Sequence, residues 1–225
     1  MLRGLNMYTG KDIIICVYTC ERDKEHLVNF YKRKWVQEYM SNPRIKFINV
    51  YADDSISAPW VMREGDLIVK SEERYDKLSL KSYKMIAAIT QFTKFKSLIK
   101  VDCDLEYANS KYTTLIDSII ECKSTPDYKG ARMLGIKARE FRRWLWNNDR
   151  IKYNKDKMKR FNREFFWTSL RPKTFWTGGI YSLNYDFCRY IANYGSKIAD
   201  ILAKFGGMED VMLASYYKQY KGDNK

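Results

Sequence analysis

The chain has 225 residues, 45% of them apolar and 16% aromatic, with 41 Lys and Arg against 27 Asp and Glu. That composition excludes a disordered or low-complexity chain, and the length suits one domain with a core large enough to need no disulfide or metal staple. The net charge of +14 points to an anionic partner: nucleic acid, an acidic membrane surface or a phosphorylated small molecule. The charge is uneven, because residues 129–173 hold 15 basic and 4 acidic side chains while the rest is nearly neutral.

The five cysteines (Cys16, Cys20, Cys103, Cys122 and Cys188) are odd in number and include no C-x-x-C pair, which argues against a disulfide framework or a zinc site. His26 is the sole histidine and reads as a helix-surface residue, so a Ser-His-Asp triad has little to be built from. Residues 1–10 lack an apolar signal-peptide core, no run of about 18 apolar residues is present, and there is no N-x-[ST] sequon. The expectation is a soluble, cytoplasmic chain with reduced thiols, residues 1–10 being set aside as a leader with Met7 an alternative start.

In chain order, residues 12–18 form an apolar run that reads as a strand buried on both faces. A helix is expected over 24–39, strands over 45–51 and 66–69, and a long amphipathic helix over 75–95. A strand at 97–101 runs into Asp102-Cys103-Asp104, and a helix follows at 113–121. Strands alternating with helices predict an α/β fold, a single domain with a mostly parallel central sheet flanked by helices. In such sheets ligands bind beyond the carboxyl ends of the strands, where three polar clusters fall: Tyr18 to Arg22, Asp53-Asp54, and Asp102 to Asp104. The second half predicts a strand at 131–136, partly helical basic-aromatic stretches at 139–146 and 155–167, a Thr177-Gly178-Gly179 turn, a strand at 180–183, a helix from 185 to about 204, a break at Gly206-Gly207, and a last short helix opened by Met208-Glu209-Asp210-Val211.

Two carboxylates one residue apart beyond a buried strand are costly unless compensated, and a hard divalent cation such as Mn²⁺ or Mg²⁺ compensates them well. The same spacing also serves a helix cap or loop pair. Glu209-Asp210 reads either as helix-capping acids or as a general base. Gly178-Gly179 reads either as a turn before a strand or as a close approach of backbone to ligand. The aromatics interleaved with cations over 129–173 suit single-stranded nucleic acid, an anionic bilayer or a sugar face, or else are half-buried core beside a solvated basic face.

Taken in order, four stretches resemble the beta-1,3-galactosyltransferase and Fringe type family of inverting glycosyltransferases. Glu64-Gly65-Asp66-Leu67-Ile68 with Tyr75-Asp-Lys-Leu-Ser-Leu-Lys81 is similar to the family's GDIL and Y-x-N-L-T-L-K stretch. Lys100-Val-Asp102-Cys-Asp104 is similar to its K-x-D-D-D, Arg171 to Ser182 to its Y-P-x-Y-x-x-G-x-G-Y-x-x-S, and Glu209-Asp210-Val211 to its E-D-V. Together they cover roughly residues 11 to 217. The resemblance implies a single GT-A domain over 1–225 that transfers a hexose, a galactose-like sugar being the guess, from a UDP-sugar donor to a hydroxyl of a glycan, glycolipid or glycoprotein acceptor, giving a β-glycoside. It implies Mn²⁺ or Mg²⁺ held by Asp102 and Asp104, and Asp210 as general base beside Glu209. Tyr18, Thr19, Arg22, Asp53, Asp54, Lys81, Asp102, Gly178 and Gly179 then line the nucleotide-sugar. The family's histidine after E-D-V is absent, as are the membrane anchor, stem and disulfides of its secretory members, so the resemblance is to a minimal soluble microbial or viral version. Residues 129–173 would flank the acceptor side and dock on an anionic membrane. The alternatives from other classes are a nucleic-acid-binding protein, which is disfavoured, and a non-catalytic glycosyltransferase-like scaffold.

Overall fold

The computed structural model describes residues 12–20, 23–104, 109–121, 125–130, 132–135, 155–166, 168–176, 179–206 and 208–223. Its centre is a seven-stranded sheet in the order β3-β4-β2-β1-β5-β9-β6. The strands are β1 (Ile13–Tyr18), β2 (Ile45–Ala52), β3 (Trp60–Arg63), β4 (Asp66–Val69), β5 (Ser97–Asp102), β6 (Tyr128–Gly130) and β9 (Ile180–Asn184). β1 pairs in parallel with both β2 and β5, and β2 with β4, while β3 and β9 run against their neighbours. The expected α/β class and mostly parallel sheet are therefore present. β7 (Met133–Gly135) and β8 (Thr174–Trp176) form a separate antiparallel pair.

β1 is buried along its whole length, and alternation divides it between two cores. Ile13, Ile15 and Val17 face the core packed by α1 (Lys24–Tyr31) and α2 (Lys34–Met40), together with α4 (Asn109–Glu121). Ile14, Cys16 and Tyr18 face the other, built with α3 (Leu78–Phe92), α6 (Tyr185–Tyr194), α7 (Lys197–Phe205) and α8 (Glu209–Asp223). α5 (Lys155–Phe161) and the π-helical turn Asn162–Phe166 add Phe161, Phe165 and Phe166 to this second core. Cys16 and Cys188 are wholly buried within it, and burial pushes both thiols well up; Cys20 and Cys103 are also buried and outside any disulfide, nearer the strand ends.

Several boundaries differ from the periodicity. The helix expected over 24–39 is two helices, because Arg33 is extended (φ −67°, ψ 135°) between them. The one expected from 185 to 204 breaks at Gly195, whose φ of 86° favours glycine and ends α6 before Ser196. The long helix at 75–95 begins as a 3₁₀ turn at Tyr75–Lys77 and stops at Phe92, where Thr93 turns extended. The last helix is 15 residues rather than short. β3, β6 and β8 were not expected. β3 pairs with β4 across Glu64-Gly65, both at positive φ (44° and 99°), a two-residue turn that the right-handed strand twist favours. The strand expected at 131–136 is β7, and the helix expected at 139–146 lies outside the described residues. Among the described residues no helix is long and apolar enough to cross a membrane.

Candidate active site

β1 is the point where the sheet's connectivity reverses, with β2 on one side and β5 on the other. Open α/β sheets bind ligands in the crevice that such a reversal leaves at the strands' carboxyl ends. Tyr18 and Asp102 are paired in register there, and the Cys103 amide donates to the Tyr18 carbonyl at 3.1 Å. The Asp102 amide donates to the Gly179 carbonyl at 3.2 Å, which brings Gly179 against the D-x-D. A cleft of about 190 Å³ opens at this point, lined among others by Tyr18, Thr19, Glu73, Lys81, Asp102 and Asp104.

Strand alternation puts Leu98, Lys100 and Asp102 on one face of β5, the face that Tyr18 shares. Lys100 is only 1% exposed, and an ammonium that deep needs partners. It has two: Nζ lies 2.6 Å from Asp102 Oδ1 and 2.6 Å from Glu209 Oε1. The other Glu209 oxygen, Oε2, accepts from the Ser82 hydroxyl at 2.5 Å, and Ser82 Oγ accepts from the Tyr18 hydroxyl at 2.8 Å. One acid of the D-x-D and one of the E-D pair, more than a hundred residues apart in sequence, thus share one buried cation.

Beside this network Lys81 Nζ binds both oxygens of Glu73 (2.8 and 2.9 Å) and the Thr19 carbonyl (2.8 Å). Glu73 Oε2 also accepts from the Ala52 amide at 2.7 Å, tying the end of β2 to the start of α3. Both lysines approach the Tyr18 ring, whose centroid is 5.1 Å from Lys81 Nζ and 4.8 Å from Lys100 Nζ.

The carboxylates differ in state. Burial, with Glu209's charge, outweighs the Lys100 ammonium and raises Asp102 to about 7. Burial, then the adjacent Glu209 carboxylate, lifts Asp210 to about 6, while the Val211 amide donates to its Oδ1 at 2.8 Å. Lys100 is itself held above the ordinary lysine range, because attraction to Asp102 and Glu209 overcomes its desolvation. Asp104 is exposed, and among the described residues no hydrogen bond or ion pair engages it.

Of the residues singled out in the sequence, Tyr18, Thr19, Lys81, Asp102 and Asp104 line one cleft, Gly179 touches the Asp102 backbone, and Glu209 joins through Lys100. Asp210 follows Glu209 in the first turn of α8. Asp53 and Asp54 are not among the lining residues. Asp53 instead closes a local turn, its Oδ1 accepting from the Ser55 amide (2.8 Å) and hydroxyl (2.6 Å), and these bonds hold its carboxyl below the usual range. Arg22 and Gly178 lie outside the described residues. Sequence reasoning gave no role to Lys100, Ser82 or Glu73. A lysine inside an otherwise apolar strand was the one available signal, since such a charge demands a buried partner.

A divalent cation fits the donor set. Asp104 is unengaged by the described residues, Asp102 is 30% exposed with its Oδ1 held by Lys100, and carboxylate oxygens are the donors that Mn²⁺ and Mg²⁺ take. Among the described residues no group of three or more His, Cys, Asp or Glu is arranged around a metal. A larger concavity, about 620 Å³, lies between α6 and the end of α8, lined by Tyr190, Tyr194 and Tyr220, and includes none of these residues. No family model matches the chain, and no curated protein matches it.

Proposed function

We propose that the protein is an inverting, metal-dependent glycosyltransferase of GT-A fold that uses a UDP-sugar. The observation that carries this proposal is the meeting of Asp102 and Glu209 on Lys100 at the reversal point of the sheet. That arrangement puts a D-x-D at the mouth of the cleft and a second acidic pair beside it, which is what donor activation and acceptor deprotonation separately require. The resemblance of four ordered stretches to the beta-1,3-galactosyltransferase and Fringe type family supports the same conclusion.

Asp104, with the open side of Asp102, would hold Mn²⁺ or Mg²⁺; when bound, the metal neutralises charge developing on the diphosphate leaving group. Tyr18 and Thr19 line the nucleotide side of the cleft, and Lys81 fixes the Thr19 carbonyl from beneath. Asp210 takes the proton of the acceptor hydroxyl as that oxygen bonds the anomeric carbon. The bond from that carbon to the diphosphate breaks, UDP leaves, and an α-linked donor gives a β-glycoside. Asp210's raised value suits a base that works near neutral pH. Glu209, buried and bonded at both oxygens, orients α8 rather than moving a proton.

The acceptor is a glycan, glycolipid or glycoprotein hydroxyl, and the net +11 over 129–173 favours one carried on an anionic membrane surface. Base stacking draws no support from the described part of that segment, where Phe161, Phe165 and Phe166 are buried. The deciding experiment is a panel of UDP-sugars with Mn²⁺ read by hydrolysis, which needs no acceptor, together with the thermal shift given by UDP and Mn²⁺. Hydrolysis of one donor, lost in Asp104→Ala, is expected. No thermal shift and no hydrolysis of any donor would overturn the proposal.

A further inference from the structure

One positive charge faces two negative ones at the centre of the site, and its contact with Asp102 uses an oxygen that a metal would also seek. Lys100 Nζ lies 2.6 Å from Asp102 Oδ1, closer than solvent-separated pairing allows, and the strand holds it there. Its second carboxylate, Glu209 Oε1, is at the same distance on the far side. Glu209 is in turn fixed by the Ser82 hydroxyl, and the tyrosine rings of Tyr18 and Tyr181 lie 4.8 and 5.6 Å from the ammonium. The ammonium is thus caged, with no route to solvent: its side chain is 1% exposed. Asp104, by contrast, is exposed and unengaged by the described residues.

We propose that Lys100 is a built-in counter-cation of the D-x-D, holding Asp102 when no metal is present and thereby limiting how tightly a divalent cation binds. The inference rests on the D-x-D being the metal site of the proposed transferase. Asp104 makes the first capture of the cation. Asp102 joins only by sharing its charge with Lys100, whose hold on Glu209 keeps the ammonium compensated as it does so. Lys100 is a positioning residue, and it makes metal binding by the protein alone weak.

The test is the affinity of the full chain for Mn²⁺ alone, with no nucleotide or acceptor, followed by the electron paramagnetic resonance signal of free Mn²⁺. Removing a cation 4–6 Å from a charged group typically changes that group's equilibria tenfold or more. Lys100→Met should therefore bind Mn²⁺ about tenfold more tightly than wild type, and Lys100→Arg, which keeps the charge, should stay within about threefold. Lys100→Met leaves the buried Glu209 and the half-buried Asp102 without their shared cation and is liable to misfold. The charge-balanced variant Lys100→Met/Glu209→Gln removes one charge of each sign, frees Asp102, and should also bind Mn²⁺ more tightly than wild type. A merely structural lysine would not produce that gain. Folded variants lacking Lys100 that bind Mn²⁺ no more tightly than wild type, or no Mn²⁺ binding by any of the proteins, would overturn the proposal. UDP-sugar hydrolysis is read separately. Its absence would remove the transferase while leaving a tightened Mn²⁺ site standing, and its presence with no tightening would remove only the role of Lys100.

Discussion

The two lysines beside the Tyr18 ring are both buried and both ion-paired, yet they are built differently. Lys81 meets one carboxylate, Glu73, with both oxygens, and that pair is closed and neutral. Lys100 is shared by Asp102 and Glu209, with Asp104 and Asp210 nearby, so carboxyl groups outnumber the ammonium around it. The first arrangement is a clamp between the end of β2 and the start of α3. The second leaves charge unspent at the mouth of the cleft, where a cation can use it. Burial alone does not distinguish a structural lysine from a functional one; the balance of charge around it does.

The largest test of that difference is stability. Lys100→Met strands the buried Glu209 carboxylate and removes a partner of the half-buried Asp102, and should cost about 3–5 kcal/mol in urea denaturation. Lys81→Met strands only Glu73, 27% exposed, and should cost about 1–3 kcal/mol. Equal losses would erase the distinction between clamp and shared cation.

The two acids of the D-x-D sharpen it. Asp104→Ala should abolish UDP-sugar hydrolysis while leaving the denaturation midpoint within about 0.5 kcal/mol of wild type, because its carboxylate is exposed and unengaged by the described residues. Asp102→Ala should lower both, since it removes one partner of Lys100. An active Asp104→Ala variant would mean that Asp104 is not a metal ligand.

A smaller effect is expected from pH. Asp210 is raised from its ordinary carboxylate value to about 6, so it is fully ionised only above that pH, and hydrolysis should fall on an acidic limb centred near 6. Its effect on stability has the opposite sign. The native state holds this proton more tightly than the unfolded chain, so the Asp210 contribution favours folding increasingly as pH drops from about 6 towards 4, and is least favourable above 6. Asp210→Asn should flatten that limb of the stability profile, by about 1–3 kcal/mol at most over the interval.

Much of this was legible in the sequence, for identifiable reasons. β1 and β5 announce themselves as apolar runs, and Asp102, Asp104, Glu209 and Asp210 stand where runs end and a helix begins, so their pattern is local. Gly195 was legible as well, since a glycine before Ser196 is a helix stop, but the apolar spacing across it suggested one continuous helix. What could not be read is pairing between distant segments. Nothing near Ser82 marks it as the donor to Glu209, and nothing near Glu73 marks it as the partner of Lys81 and of the Ala52 amide. Asp53 shows how local bonding hides from sequence. An acid after a strand looks like a ligand contact, and the local competition of Ser55 for its oxygen becomes visible only in the turn itself.

The cysteines give the molecule an internal measure of its own opening. Cys16 and Cys188 sit in the core between β1 and α6, and their thiols are too desolvated to ionise in the native state. Cys20, whose thiol donates to Asp23 at 2.9 Å, lines the cleft, whereas Cys103, raised to about 11, is buried in the core under α1, α2 and α4. A thiol-alkylating reagent therefore reads two depths among the described cysteines: Cys20 reports local breathing of the cleft and the core thiols only its global loss. A ligand that closes the cleft would slow the first and leave the second unchanged.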